Sequence, residues 1–326
     1  MDPYSTLEPW LADSLAADSL AALPLWPGGQ ITPPPGTVDK ILADARAPAF
    51  PESGRRFKVL GVEFSDMRSA EAIALTTSLL THDLGRPQTL YFANAYTLNL
   101  AYESDAYRAV LNRADYVFGD GTGVRWAARL QGLRLQDNLN GTDLVPELLS
   151  ATSGRRFRWY LLGASPDAIA RAAANVQRIF PGWELAGYHH GFFDSENESR
   201  VIDEINRAQP HLLLVAMGNP IQESWIDRHR DRLQARLCIG VGALVDRWAG
   251  DLIRAPLWVR RWGMEWIDIL RHQPKKWRRY LLGNPRYLYR VVAHHQGAGP
   301  VVGSFGPGGA SPRGVGQPSQ PVQTAR

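Results

Sequence analysis

Through the middle of the chain, short apolar runs alternate with stretches whose apolar residues recur at helical spacing. Phe57–Phe64 (FKVLGVEF), Thr89–Ala93 (TLYFA), Tyr116–Gly119, Arg158–Gly163 (RWYLLG), His211–Gly218 (HLLLVAMG) and Leu237–Val241 read as strands. Residues 69–83, 97–112, 122–131, 166–180, 198–208 and 221–235 read as the helices between them. Short buried-looking strands alternating with longer helices predict an α/β fold, a mostly parallel sheet with helices on both faces. Ligands of such sheets sit beyond the carboxyl ends of the strands, so the strand-to-helix junctions are the places to look for chemistry.

The two ends break this pattern. Residues 1–55 are rich in Ala, Pro and Leu, with Pro33, Pro34 and Pro35 in succession, and residues 296–326 are mostly Gly, Pro, Ser and Gln. Neither composition offsets the entropy of ordering, so both are expected to be weakly structured extensions. Between them lie an α/β core over 56–253 and an appendage over 254–295. The longest apolar runs, such as Leu212–Met217, fall far short of the ~20 residues of a membrane-spanning helix. Residues 1–10 carry two acids and no base, unlike a secretory signal. A single cysteine, Cys238, excludes an internal disulfide framework or a Cys-rich zinc site. The expectation is a soluble, intracellular chain without a built-in anchor.

The net charge of +4 conceals a strong asymmetry. Residues 1–54 carry −5, whereas residues 254–290 hold ten Lys/Arg against Glu265 and Asp268, for +8. Trp258, Trp262 and Trp266 recur every four residues within that segment, with Tyr280, Tyr287 and Tyr289 following. Basic residues interleaved with Trp and Tyr suit an element lying on an anionic membrane surface. A Trp stripe packed on the core beneath a solvated basic face is the alternative. No nucleic-acid module accompanies these residues, and nucleic acid is not an expected partner.

Four junctions offer polar groups. Gly119-Asp120-Gly121-Thr122-Gly123 follows a strand and opens a helix. Its glycines admit a close backbone approach, the helix N-terminus favours an anion, and Asp120 is placed to act as a general base. The same residues also fit a capped turn with no ligand. Asn94 follows Thr89–Ala93 and suits either a cap or a sugar contact. Thr142 and Asp143, in Asn140-Gly141-Thr142-Asp143, open another helix. In Gly218-Asn219-Pro220-Ile221-Gln222-Glu223, Pro220 suits a helix start and puts Gln222 and Glu223 in its first turn, near the ligand edge. There is no Asp-x-Asp, no histidine ligand spacing, no Gly-x-Ser-x-Gly and no Gly-x-Gly-x-x-Gly after the first strand, so neither metal nor cofactor is expected. The adjacent His189 and His190 would point apart on a strand.

In order, these segments resemble the WecG/TagA/CpsF family of bacterial glycosyltransferases (glycosyltransferase family 26) over about residues 57–290. The resemblance runs through Asn94 with Ala101, Asp115-x-x-x-x-Asp120-Gly121-x-Gly123, Gly141-Thr142-Asp143-Leu144 and Gly218-Asn219-Pro220-Ile221-Gln222-Glu223-x-Trp225. It continues through Gly240-Val241-Gly242, Ala249-Gly250, Arg254-Ala255-Pro256, Glu265-Trp266, Pro274 and Arg279-Tyr280. It implies a Rossmann-like core and an inverting, metal-independent enzyme. The enzyme would move a sugar from a UDP-sugar to a polyprenyl-diphosphate-linked acceptor at the inner membrane face. N-acetylmannosamine is the leading sugar, with glucose or a uronic-type sugar as alternatives. Asp120 matches the family's catalytic base. Asn94, Gly121, Gly123, Thr142, Asp143, Gln222 and Glu223 match substrate-binding positions. The family's appendage supplies cations to the donor diphosphate, which points to Arg254, Lys276 and Arg279.

Three positions depart from the family pattern. Phe92 stands where a threonine is frequent, Asp137-Asn138-Leu139-Asn140 where an arginine is frequent, and Ile269 where an arginine follows Glu265-Trp266. A catalytically silent membrane- or polyanion-binding scaffold is the competing reading. Oligomeric state is not written in the sequence.

Overall fold

Six parallel strands form the sheet that the apolar runs predict, in a computed structural model that describes residues 55–251, 277 and 281–294. A hairpin of β1 (Arg55–Val59) and β2 (Val62–Asp66) precedes α1 (Ser69–Thr81), β3 (Gln88–Ala93), α2 (Ala95–Glu103), α3 (Asp105–Arg113) and β4 (Tyr116–Gly119). Then come α4 (Thr122–Leu130), α5 (Gly141–Ala151), β5 (Arg158–Gly163), α6 (Pro166–Ile179), β6 (Glu184–His189) and α7 (Ser195–Arg207). The chain continues through β7 (Leu212–Ala216), α8 (Ile221–His229), β8 (Leu237–Gly240), α9 (Leu244–Trp248) and α10 (Gly283–Ala293). The sheet order is β4-β3-β8-β7-β5-β6.

Strand periodicity divides the core in two. Leu90 and Phe92 of β3, with Leu212 and Leu214 of β7, face α1, α5, α6 and α9. Their neighbours Tyr91, Ala93, Leu213 and Val215 face the hairpin and α2, α3, α4, α7, α8 and α10. Both sides of β3 and β7 are buried, which is why these strands read as continuous apolar runs rather than alternating ones. Each such side chain contributes roughly 1.5–3 kcal/mol by leaving water. Cys238 is fully buried in β8, between the sheet and the helices of the second layer.

Three elements differ from expectation. Phe57–Phe64 is not one strand: it turns at Leu60 and Gly61, both at positive φ (48° and 79°), and Phe57 stacks back on Phe64 with centroids 5.1 Å apart. Residues 97–112 are two helices, because Ser104 ends α2 and caps α3 by accepting from the Tyr107 N–H at 3.2 Å. The edge strand β6 is not predicted by the apolar pattern, because its ELAGYH sequence is mostly half-buried or exposed and lacks an apolar run. Residues 1–54 and 295–326 lie outside the described residues, as does most of the appendage, apart from residue 277 and residues 281–294.

Candidate active site

β3 and β4 run side by side with Ala93 opposite Gly119, so the residues following them, Asn94 and Asp120, emerge together at the carboxyl edge. The Asp120 N–H donates to the Ala93 carbonyl at 2.9 Å, which ties the two exits. Asn94 caps α2: its Oδ1 accepts from the Tyr96 N–H (3.0 Å), the Thr97 N–H (3.2 Å) and the Thr97 hydroxyl (3.3 Å). The side-chain oxygen is thereby used up, and Nδ2 meets no acceptor among the described residues. Asn94 is therefore both a cap and an available hydrogen-bond donor.

Beyond Asp120 the chain turns at Gly121, whose φ of 89° suits glycine and whose N–H donates to Asn138 Oδ1 at 2.8 Å. A Cβ at Gly121 would meet no atom within 4 Å, so the backbone here lies open. No side chain caps α4, whereas Asn94, Asn140, Ser165 and Asp194 cap α2, α5, α6 and α7. The first-turn amides of α4 thus present the partial positive charge of a helix N-terminus beside Asp120. Gly123 serves differently: a Cβ there would lie 3.2 Å from Ala95 Cβ and 3.3 Å from Tyr287 Cε1, so it allows helices to approach rather than a ligand.

The N-terminus of α5 meets the same strand exits. A Cβ on Gly141 would come within 2.8 Å of the Phe92 ring, and Phe92 packs tilted on Phe118 at 6.1 Å. Phe92 is nearly buried and fills the floor between β3 and α5. Asn140 caps α5 by accepting from the Asp143 N–H (2.9 Å) and the Thr142 hydroxyl (2.8 Å), and its own Nδ2 donates to Asp143 Oδ2 at 2.8 Å. Thr142 and Asp143 are half-buried participants in that cap.

Gln222 and Glu223 do open α8, but both are buried. Gln222 Oε1 accepts from the Gly242 N–H at 3.0 Å and its Nε2 donates to Glu223 Oε1 at 2.7 Å. Asn219 Nδ2 donates to the same oxygen at 2.6 Å, and the Tyr107 hydroxyl donates to Oε2 at 3.1 Å. This network locks the β7–α8 and β8–α9 loops to each other and to α3. Burial pushes the Glu223 carboxyl up to about 7, against the opposing pull of its hydrogen-bond donors. The two side chains shape the edge from beneath it.

Asp115, the other acid of the Asp115-x-x-x-x-Asp120 stretch, lies at the amino end of β4. It accepts from the Thr89 N–H (2.8 Å) and pairs with Arg86 (2.9 Å) and Arg230. Its role is structural, at the opposite end of the strand from the site.

At the other side of the sheet, beyond β6, a cavity of about 270 Å³ is lined by His189, His190, Phe192, Phe193, Asp194 and Arg200, among others. His189 and His190 do not point apart: His189 ends the strand, and the ring centroids are 4.5 Å apart. His190 Nδ1 accepts from the Phe192 N–H at 3.2 Å, and burial, then His189, lowers the His190 pKa; both observations describe a neutral ring. Phe192 is half-exposed at the mouth. Because β6 lacks an apolar run, the pattern along the chain does not reveal this cavity; its one signal is the apolar Gly191-Phe192-Phe193 directly after the strand. Arg254, Lys276 and Arg279 lie outside the described residues. Among those described, no three His, Cys, Asp or Glu side chains are grouped so as to hold a metal ion.

Comparison with known proteins finds a matching family and named relatives. The family model described as "Glycosyl transferase WecG/TagA/CpsF family" matches residues 57–298. The chain is 35% identical over 196 residues to an N-acetylglucosaminyldiphosphoundecaprenol N-acetyl-beta-D-mannosaminyltransferase of Bacillus spizizenii, covering 60% of this chain and 75% of that one. It is 33% identical over 186 residues to the protein of that name from Bacillus subtilis, covering 57% and 72%. With the one from Staphylococcus aureus strain MW2 it shares 28% identity over 236 residues, covering 72% and 91%.

Proposed function

Since the chain belongs to the WecG/TagA/CpsF glycosyltransferase family, we propose that it transfers N-acetylmannosamine from a UDP-sugar to a polyprenyl-diphosphate-linked N-acetylglucosamine, with inversion. The names of its relatives supply the sugar and the acceptor class. The reading of the site rests on one observation: Asp120 stands at a strand exit between the uncapped N-terminus of α4 and the available amide of Asn94.

In this mechanism the Asp120 carboxylate takes the proton of the acceptor hydroxyl. The oxygen forms its bond to the anomeric carbon as the bond from that carbon to the UDP oxygen breaks, and the electron pair leaves with UDP. Negative charge growing on the diphosphate is stabilised by donors already aimed at it, the α4 amides and Asn94 Nδ2 among them. Arg254, Lys276 and Arg279 complete that neutralisation, and no metal is required. Thr142, Asp143, Gln222 and Glu223 hold the rim through the bonds described above rather than by direct contact.

No helix among the described residues is long and apolar enough to cross a membrane. A lipid-linked acceptor is then reached from the cytoplasmic membrane surface by peripheral association, through the basic segment over 254–295.

The test is UDP release from a panel of UDP-sugars with a polyprenyl-diphosphate-linked acceptor, with and without EDTA, for the native protein and Asp120→Asn. EDTA-insensitive release with UDP-N-acetylmannosamine, reduced by about 10²–10⁴-fold in the variant, is expected of a lost general base. Native turnover in Asp120→Asn refutes the base assignment, and EDTA-sensitive turnover refutes the metal-independent mechanism.

A further inference from the structure

α10 lies across the two helices that begin at the site, although some 160–190 positions separate them along the chain. At one end Arg290 grips α2, donating to Asn99 Oδ1 (2.9 Å) and Glu103 Oε1 (2.6 Å) with its guanidinium 4.4 Å from the Tyr102 ring centroid. Asn99 Nδ2 returns a bond to the Gly283 carbonyl at 2.8 Å. Mid-helix, Tyr287 is 1% exposed and its hydroxyl donates to the Gly123 carbonyl at 3.1 Å, in the first turn of α4. Its ring occupies the space that a side chain at Gly123 would need, next to Ala95 at the start of α2. α2 begins just after Asn94, and α4 just after Asp120 and Gly121. One helix therefore fixes the first turns of both site helices relative to each other.

We propose that Tyr287 is a positioning residue for sugar transfer: through the Gly123 carbonyl it holds the α4 N-terminus, and with it Asp120, in register with Asn94. The proposal rests on the reading of Asp120 as the base. The hydroxyl is well suited to the task, because burial raises its pKa and keeps it a donor. The parallel pairing of β3 with β4 sets the spacing of the strand exits. Gly121, at φ 89° with its N–H bonded to Asn138, lets the chain bend between strand and helix, and α4 beyond it is anchored in the core by Val124, Ala127 and Ala128, which leaves its first turn to be held at the Gly123 carbonyl. Tyr287 restrains that first turn on the far side of the Gly121 bend. Reacting groups displaced by about 1 Å can lose 10²-fold in rate, so release of a single bond should cost a fraction of that in kcat.

The experiment compares the native protein with Tyr287→Phe, which keeps the ring and removes the bond, and with Gly123→Ala, whose Cβ would press on Ala95 and Tyr287. Rates of UDP release are measured across donor concentrations with lipid-linked acceptor, and normalised to the folded fraction from thermal melts. A fall in kcat of about tenfold with donor KM within twofold is expected for Tyr287→Phe. The same kcat-selective loss is expected for Gly123→Ala, which stands as the deciding variant if Tyr287→Phe fails to fold. A native kcat per folded molecule, or a rate that falls only with the folded fraction, overturns the proposal. Asp120→Asn, run alongside, separates the two readings. Full turnover in that variant refutes the base, whereas its loss together with native kcat in Tyr287→Phe refutes the positioning role alone.

Discussion

Glu223 makes the protein's stability depend on pH in a calculable way. Its carboxyl is fully buried and titrates at about 7, against an ordinary value of 4.5. Below pH 4.5 it is protonated in both folded and unfolded chains and contributes no difference. As pH rises toward 7 the unfolded chain releases its proton while the folded chain keeps it, so stability falls through that window and levels off above it. A displacement of this size corresponds to about 3 kcal/mol. Glu223→Gln mimics the protonated form. Its oxygen can still accept from Asn219 and Gln222, and its amide meets Tyr107, whose hydroxyl must turn at a pH-independent cost of about 1 kcal/mol. Urea unfolding followed by tryptophan fluorescence, from pH 4.5 to 8, should show native stability dropping by about 3 kcal/mol more than that of the variant. His190, His211 and His229, whose pKa values burial lowers, titrate in both proteins and cancel in the difference. Parallel curves would refute the reasoning: the carboxylate would then be ionised throughout, with its three donors outweighing burial.

Two further outcomes follow from the placement of the site. Phe192→Ala, at a cavity four to five strand spacings (about 20 Å) from Asn94 and Asp120, should leave donor KM and kcat within twofold; a donor KM raised about tenfold would place the nucleobase there instead. Asp115→Ala, at the amino end of the strand that ends beside Asp120, should cost about 2 kcal/mol in urea unfolding by leaving Arg230 without its carboxylate and the Thr89 N–H without its acceptor, with kcat per folded molecule unchanged. A selective kcat loss there would mean that the amino end of β4 communicates with the site.

The sheet was legible because its inner strands are buried on both faces, and such strands leave an unmistakable apolar run. β6 was not, since an edge strand with Glu184 and Tyr188 turned outward carries no such mark. Helical periodicity joined 97–112 because it cannot register one serine switching from the end of one helix to the cap of the next. At the site, Asn94 and Asp120 could be found as polar residues following strands. Gln222 and Glu223 could not be placed: the first turn of a helix points toward a ligand or toward the core according to what packs on it, and here Tyr107 and Gly242 claim them. The substitution at Phe92 also became intelligible only in three dimensions, where its ring fills the space left by Gly141. Nothing in the described structure accounts for Ile269, which lies outside it.

The order of the strands carries a consequence for biosynthesis. β8 is the last strand made among the described residues, yet it sits in the middle of the sheet, hydrogen-bonded to β3 on one side and β7 on the other. Until residues 237–240 leave the ribosome, β3–β4 and β7–β5–β6 are two separate half-sheets, each with an open inner edge of apolar strand. The contacts that join them span up to about 150 residues, the kind of long-range closure that slows folding. Nascent chains arrested before β8 should therefore be readily cleaved by protease and prone to pair with one another, and those arrested well beyond it resistant. A single four-residue strand thus decides when this protein stops being an aggregation hazard and becomes one cooperative unit.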